Sequence, residues 1–157
     1  MTFEELIAAF AAKYGIEGLE AGDGAAALEV DGMQVSILYD GPANTVTLCG
    51  EIGESQAEAE GHFGEVMLKA NFLFRGTEGA TLAQNPETGA FAIVRAFDLP
   101  MLDPDVFSGA MEHFVNQLEN WKRLLADFRP IMLQGAKQVV PEESGMPVQF
   151  DQRFLKV

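Results

Sequence analysis

Residues 67–121 read MLKANFLFRGTEGATLAQNPETGAFAIVRAFDLPMLDPDVFSGAMEHFVNQLENW, and the punctuation of this stretch decides the fold. A helix closes near Asn71, Arg75-Gly76-Thr77-Glu78-Gly79 turns the chain, and strands over 80–85 and 90–99 flank Pro86-Glu87-Thr88-Gly89. Strands joined by so short a turn are antiparallel neighbours, not the two ends of a β-α-β crossover. Asp103 then caps a helix with Pro104 at its first position, and Arg129-Pro130 ends it after Phe128. Along that helix Phe107, Met111, Phe114, Leu118, Trp121, Leu125 and Phe128 recur in alternating steps of four and three, giving one continuous apolar stripe. The stripe is short for a coiled coil, so the chain's own strands are its expected cover.

Towards the N-terminus, Thr2 and Glu5 form a capping box ahead of Phe3, Leu6, Ile7, Phe10 and Tyr14 at helical spacing, and Gly15 is the stop. A loop rich in Gly, Ala and acids covers 18–27. Segments 28–30 and 33–39 read as a hairpin closed by a type I′ turn at Asp31-Gly32, and 45–49 as a third strand that ends near 50–53. Ser55 caps a second helix that reaches Asn71, in which Gly61 and Gly64 each cost close to ~1 kcal/mol relative to Ala unless they admit a close neighbour. The order is therefore α-β-β-β-α-β-β-α, an α+β fold with an antiparallel sheet and helices on one side. In the last strand Phe91, Ile93 and Phe97 share one face, while Ala92, Val94 and Ala96 share the other. Two apolar faces imply a cover beyond one layer of helices, and a second subunit is the simplest.

At 157 residues, 48% hydrophobic and 22% charged, the chain fits one core. The expected division is a domain over 1–129 and a C-terminal tail over 130–157, flexible or draped over the body. The net charge of -14 disfavours nucleic acid and anionic membranes as partners. It is uneven: residues 1–128 hold 21 acids and 6 bases, whereas 129–157 hold 3 acids and 4 bases. The single Cys49 fits a reducing compartment, and an acidic N-terminus without a long apolar run points to the cytoplasm. As a nucleophile Cys49 needs a base, and His62 and His113 lie on separate helices. Glu112-His113 lacks a second histidine one turn away for a metal, and Gly76-Thr77-Glu78-Gly79 lacks the lysine of a phosphate loop. No catalytic site, metal or cofactor is expected, which leaves a protein-binding module.

Three features of the quoted stretch, in order, resemble the type III secretion chaperones of the Tir chaperone (CesT, SycE-like) group. They are Leu68, Ala70, Asn71 and Leu73 at the helix end, 79–82 (GATL) at the strand opening, and Pro86, Thr88 and Gly89 in the turn. The resemblance implies a homodimeric, non-catalytic cytoplasmic chaperone that holds the N-terminal segment of a secreted effector in extended form. It places the dimer interface on Phe63, Met67, Phe72 and Phe74, helped by Phe91 and Ile93, and client binding on Leu6, Phe10, Val35, Ile37, Val46 and Leu48. The alternative is a regulatory module of the same fold that binds a transcription factor or another chaperone.

Overall fold

Thr2 opens the first helix as its spacing to Glu5 predicts: its hydroxyl accepts from the Glu5 amide at 3.2 Å, and its own amide donates to the Glu5 carboxylate at 2.8 Å. In the computed structural model, which describes residues 1–54 and 57–129, this helix, α1, spans Phe3–Tyr14 and ends at Gly15 with φ 64°. The tail over 130–157 and the Ser55 cap lie outside the described residues. Three strands follow, β1 Ala25–Val30, β2 Met33–Asp40 and β3 Thr45–Gly53, then α2 Ala57–Asn71, β4 Thr81–Gln84, β5 Phe91–Asp98 and α3 Pro104–Asp127. Short 3-10 turns, Phe72–Phe74 and Leu99–Met101, close α2 and β5.

The strands form one antiparallel sheet in the order β1-β2-β3-β5-β4. Asp31 and Gly32, with φ 51° and 74°, make the expected type I′ turn. Two strands run longer than their composition predicts. β1 starts at Ala25 because pairing with β2 from Leu38 back to Met33 outweighs the weak strand preference of three alanines. β3 runs through Gly50 to Gly53, and a Cβ on Gly50 would lie 2.6 Å from Leu118 Cδ2. The glycine that reads as a strand end is the place where α3 seats against the sheet. Gly64, by contrast, has open space where a Cβ would be, so close approach is not its purpose.

Register fixes which face the helices cover. Tyr39, Val46 and Phe97 form one cross-strand row; Ile37, Leu48 and Arg95 form the next; Val35, Gly50, Ile93 and Leu82 form a third. α3 lies over this face with Phe107, Met111, Phe114, Leu118 and Trp121 buried, as the stripe predicts. Phe10 meets Phe107 edge-on at 5.2 Å, and Phe63 of α2 packs on Phe91 at 5.3 Å and Phe128 at 5.2 Å. Asp103 caps α3 by accepting from the amides of Asp105 and Val106, both at 2.8 Å. The opposite face, which includes Leu38, Thr47, Cys49, Ala92, Val94 and Ala96, carries no helix among the described residues.

Candidate protein-interaction surface

The helix-covered face accounts for all six residues expected to take a client. Leu6, Phe10, Val35, Ile37, Val46 and Leu48 are between 0 and 4% exposed, so they form the core and present no surface. Alternation along β2 and β3 correctly groups four of them, but the shared face is the one under α1 and α3. The dimer set divides. Phe63, Met67, Phe91 and Ile93 are core, because the inner side of α2 packs on β5. Phe72 and Phe74 are 58 and 52% exposed.

Around those two phenylalanines lies an apolar surface that the described residues do not cover. Leu68 is 72% exposed and Leu73 60%. The backbone here is also strained: Leu73 and Phe74 both have φ 55°, in the left-handed region that costs an L-residue roughly 1–2 kcal/mol. The surrounding bonds hold that geometry. The Gly76 amide donates to the Ala70 carbonyl at 3.1 Å, the Glu78 amide to the Phe74 carbonyl at 2.8 Å, and Gly76 sits so close to Ala70 that a Cβ would meet Ala70 Cβ at 2.8 Å. Asn71 fixes the same turn to the sheet, since its Nδ2 donates to the Leu82 carbonyl at 3.0 Å and its Oδ1 accepts from the Leu82 amide at 2.9 Å. This pair imitates a neighbouring strand on the outer side of β4 and occupies part of that edge. Strained, exposed apolar positions held in place by hydrogen bonds make the end of α2 the candidate interaction surface. Leu68 and Leu73 were absent from the expected interface; their signal was an apolar run that breaks the helical period after Met67.

The other residues singled out for chemistry lie apart. Cys49 is on the open face of the sheet, where burial and Glu51 push its thiol pKa upwards, away from thiolate. His62 and His113 belong to helices on the opposite side, so the sheet separates the thiol from both. The His113 Nδ1 lies 3.3 Å from Arg95, which only donates, so Nδ1 accepts and Nε2 faces the Glu78 carboxylate. Arg95, half-buried between Phe97 and α3, thereby has polar company. No group of three His, Cys, Asp or Glu is arranged to hold a metal among the described residues, and no described helix is long and apolar enough to cross a membrane.

Comparison with known proteins assigns this architecture. The model of the Tir chaperone protein (CesT) family matches residues 5–122. The chain belongs to the Tir chaperone protein (CesT) family. Solved structures repeat the fold: the ExsC-ExsE complex at TM-score 0.68 and 17% identity, covering 80% of this chain and 97% of that one. The HopA1-SchA chaperone-effector complex follows at TM-score 0.66 and 14% identity, covering 77% and 93%. The Yersinia pestis type III secretion chaperone SycH, in complex with a fragment of YscM2, gives 0.60 and 14%, covering 76% and 99%. No curated protein matches by sequence. At these identities the solved structures support the fold, while the family model carries the membership. The motif residues of this CesT-family chain now have physical roles: Asn71 and Leu82 bond to each other, and Gly89, with φ 76°, closes the turn between β4 and β5.

Proposed function

We propose that this chain is a cytoplasmic type III secretion chaperone, without catalysis of its own, that works as a homodimer and holds the N-terminal segment of a secreted effector in extended form. The observation that carries the proposal is the cluster of four exposed apolar side chains, Leu68, Phe72, Leu73 and Phe74, at the end of α2 in a chain of this family. Half to three quarters of each of Leu68, Phe72, Leu73 and Phe74 is available for burial. At roughly 25 cal/mol per Å² and ~1.5–3 kcal/mol for a fully buried large side chain, four such residues on each of two copies supply of order 10 kcal/mol. That is comparable with the estimated ~4–15 kcal/mol cost of association, so a dimer centred here needs only modest further contact.

The client is assigned elsewhere. The six core residues support the sheet from beneath, and the open face carrying Leu38, Val94 and Ala96 is the free ground for a guest chain. An extended guest loses about 2–5 kcal/mol or more to ordering, which favours contacts spread along a path over one deep pocket. The net charge of -14 attracts guests with basic residues and keeps the apolar surface soluble. Affinity capture with the full chain from its native cell, followed by mapping of the bound segment, tests this. The expected result is the N-terminal region of a secreted protein; a folded regulator as the sole specific partner would contradict it.

A further inference from the structure

The open face of the sheet carries charge of one sign. Residues 14–68, which include β1, β2 and β3, hold 11 acids and no Lys or Arg. Alternation along the paired strands puts Glu29, Asp40, Glu51 and Asp98 on this face and Arg95 on the helix-covered one. Around Glu51 the face has depth: a cavity of about 220 Å³ has Gln34, Ser36, Cys49, Glu51, Asn85 and Ala92 in its wall. Ser36 pairs with Cys49, and Glu51 with Ala92, where the register of β3 on β5 shifts before Gly53. Such a bulge bends the strand and re-aims its side chains. The turn after β4 fixes the far wall, because the Asn85 amide donates to the Ala90 carbonyl at 2.8 Å and Asn85 Oδ1 accepts from the Glu87 amide at 2.9 Å. Lys122 Nζ donates to the backbone carbonyl of Glu51 at 3.4 Å, while the Glu51 carboxylate has no cation partner among the described residues.

We propose that this cavity receives one Lys or Arg side chain of the guest, with the aliphatic stem over Cys49 and Ala92 and the cationic tip at the Glu51 carboxylate. The chemistry of the wall selects that occupant. Cys49 and Ala92 are small and apolar, whereas Glu51, Ser36, Gln34 and Asn85 carry acceptor oxygens, so a side chain with an apolar body and a charged tip matches both. An acidic side chain would meet Glu51 at close range, and a wholly apolar one would cover the Glu51 charge without pairing it. A second copy brings a further net charge of -14 towards the same acids. That the occupant belongs to a guest chain rests on the chaperone reading; what the guest must carry at this end of the sheet follows from the cavity.

Cys49 is the only cysteine, so thiol–disulfide exchange on the full chain samples this cavity alone. The chain is equilibrated with equal amounts of cystamine, each half of which carries an ammonium, and the neutral bis(2-hydroxyethyl) disulfide, and mass spectrometry counts the two adducts. Relative to the same chain unfolded in urea, the folded chain should favour the cationic adduct about fivefold, as one partly screened ion pair allows. Glu51→Gln should return the ratio to that of the unfolded chain, and Asp98→Asn, at the other end of the face, should leave the preference intact. Equal adducts on the folded chain, or a preference that survives Glu51→Gln, would overturn the proposal. So would a Cys49 closed to both disulfides: closure at nanomolar protein gives the cavity to the chain itself, and closure only at higher concentration gives it to a second copy. These probes act without a guest, so their failure is separable from failure of the capture experiment that tests the chaperone reading.

Discussion

Gly50 shows how one residue sets the relation of a helix to a sheet. Alanine there gains roughly 0.5–1 kcal/mol of backbone preference, but its methyl would meet Leu118 at 2.6 Å, and Leu118 is fully buried with little room to yield. Overpacking costs typically ~1–3 kcal/mol, so it outweighs the gain. Urea denaturation of Gly50→Ala should show a net loss of about 1–2 kcal/mol; unchanged stability would mean that α3 is not seated on this strand. Asn71 is the second such residue. Its two bonds satisfy both backbone groups of Leu82, and Asn71→Ala leaves them unpaired in a half-buried site. A loss of about 1–3 kcal/mol is expected. Hydrogen exchange should locate the effect, with faster exchange at the Leu82 amide than at the amides of β2 and β3.

At the scale of elements, α1 is fastened to the start of α3 by Lys13, whose Nζ lies 2.7 Å from Asp105 Oδ1 and 3.2 Å from Ser108 Oγ. Its hydrogen bond with Lys13 holds the Asp105 carboxyl below the ordinary aspartate value, and its bond with Asp105 raises the Lys13 ammonium above the ordinary lysine value. A depressed carboxyl contributes stability above its unfolded pKa and loses it as pH falls through the folded value. A raised ammonium contributes below its unfolded pKa and loses it as pH rises through the folded value. The pair therefore contributes across the neutral range and fades at both extremes. A double-mutant cycle of Lys13→Ala and Asp105→Ala should give a small favourable coupling at neutral pH that vanishes well below the aspartate range; coupling that persists in acid would refute the ion pair. Both groups are exposed, so the effect is modest.

The elements also show what could be read from residues alone. Hairpins were legible because Asp31-Gly32 and Pro86-Glu87-Thr88-Gly89 demand particular turns, and α3 because its stripe never breaks. β1 was shortened in the reading because alanines carry no strand signal, and β3 because Gly50 looks like a breaker until Leu118 is seen above it. The site was less legible for a simple reason. Period-two alternation shows that Val35, Ile37, Val46 and Leu48 share a face but not which face the helices cover. Phe72 and Phe74 came from the resemblance, and the structure leaves both exposed at the end of α2. Leu68 and Leu73 lay in the same run, yet only the structure shows them left outside.

For the whole molecule, the acidic surface and the apolar end of α2 act against each other. A net charge of -14 on each copy repels its like, so the proposed dimer would draw on the greasy contact, and salt should strengthen it by screening. Replacing Phe72 and Phe74 together by Asp adds charge to that contact and leaves the core residues Phe63 and Phe91 in place. The folded chain should persist, with its far-ultraviolet signal unchanged, while the copies separate. The molar mass of the purified full chain by light scattering at micromolar concentration tests the central claim most directly: the account predicts twice the 17.0 kDa of one chain, collapsing to 17.0 kDa in the Phe72→Asp/Phe74→Asp variant, whereas 17.0 kDa for the unaltered protein would contradict it.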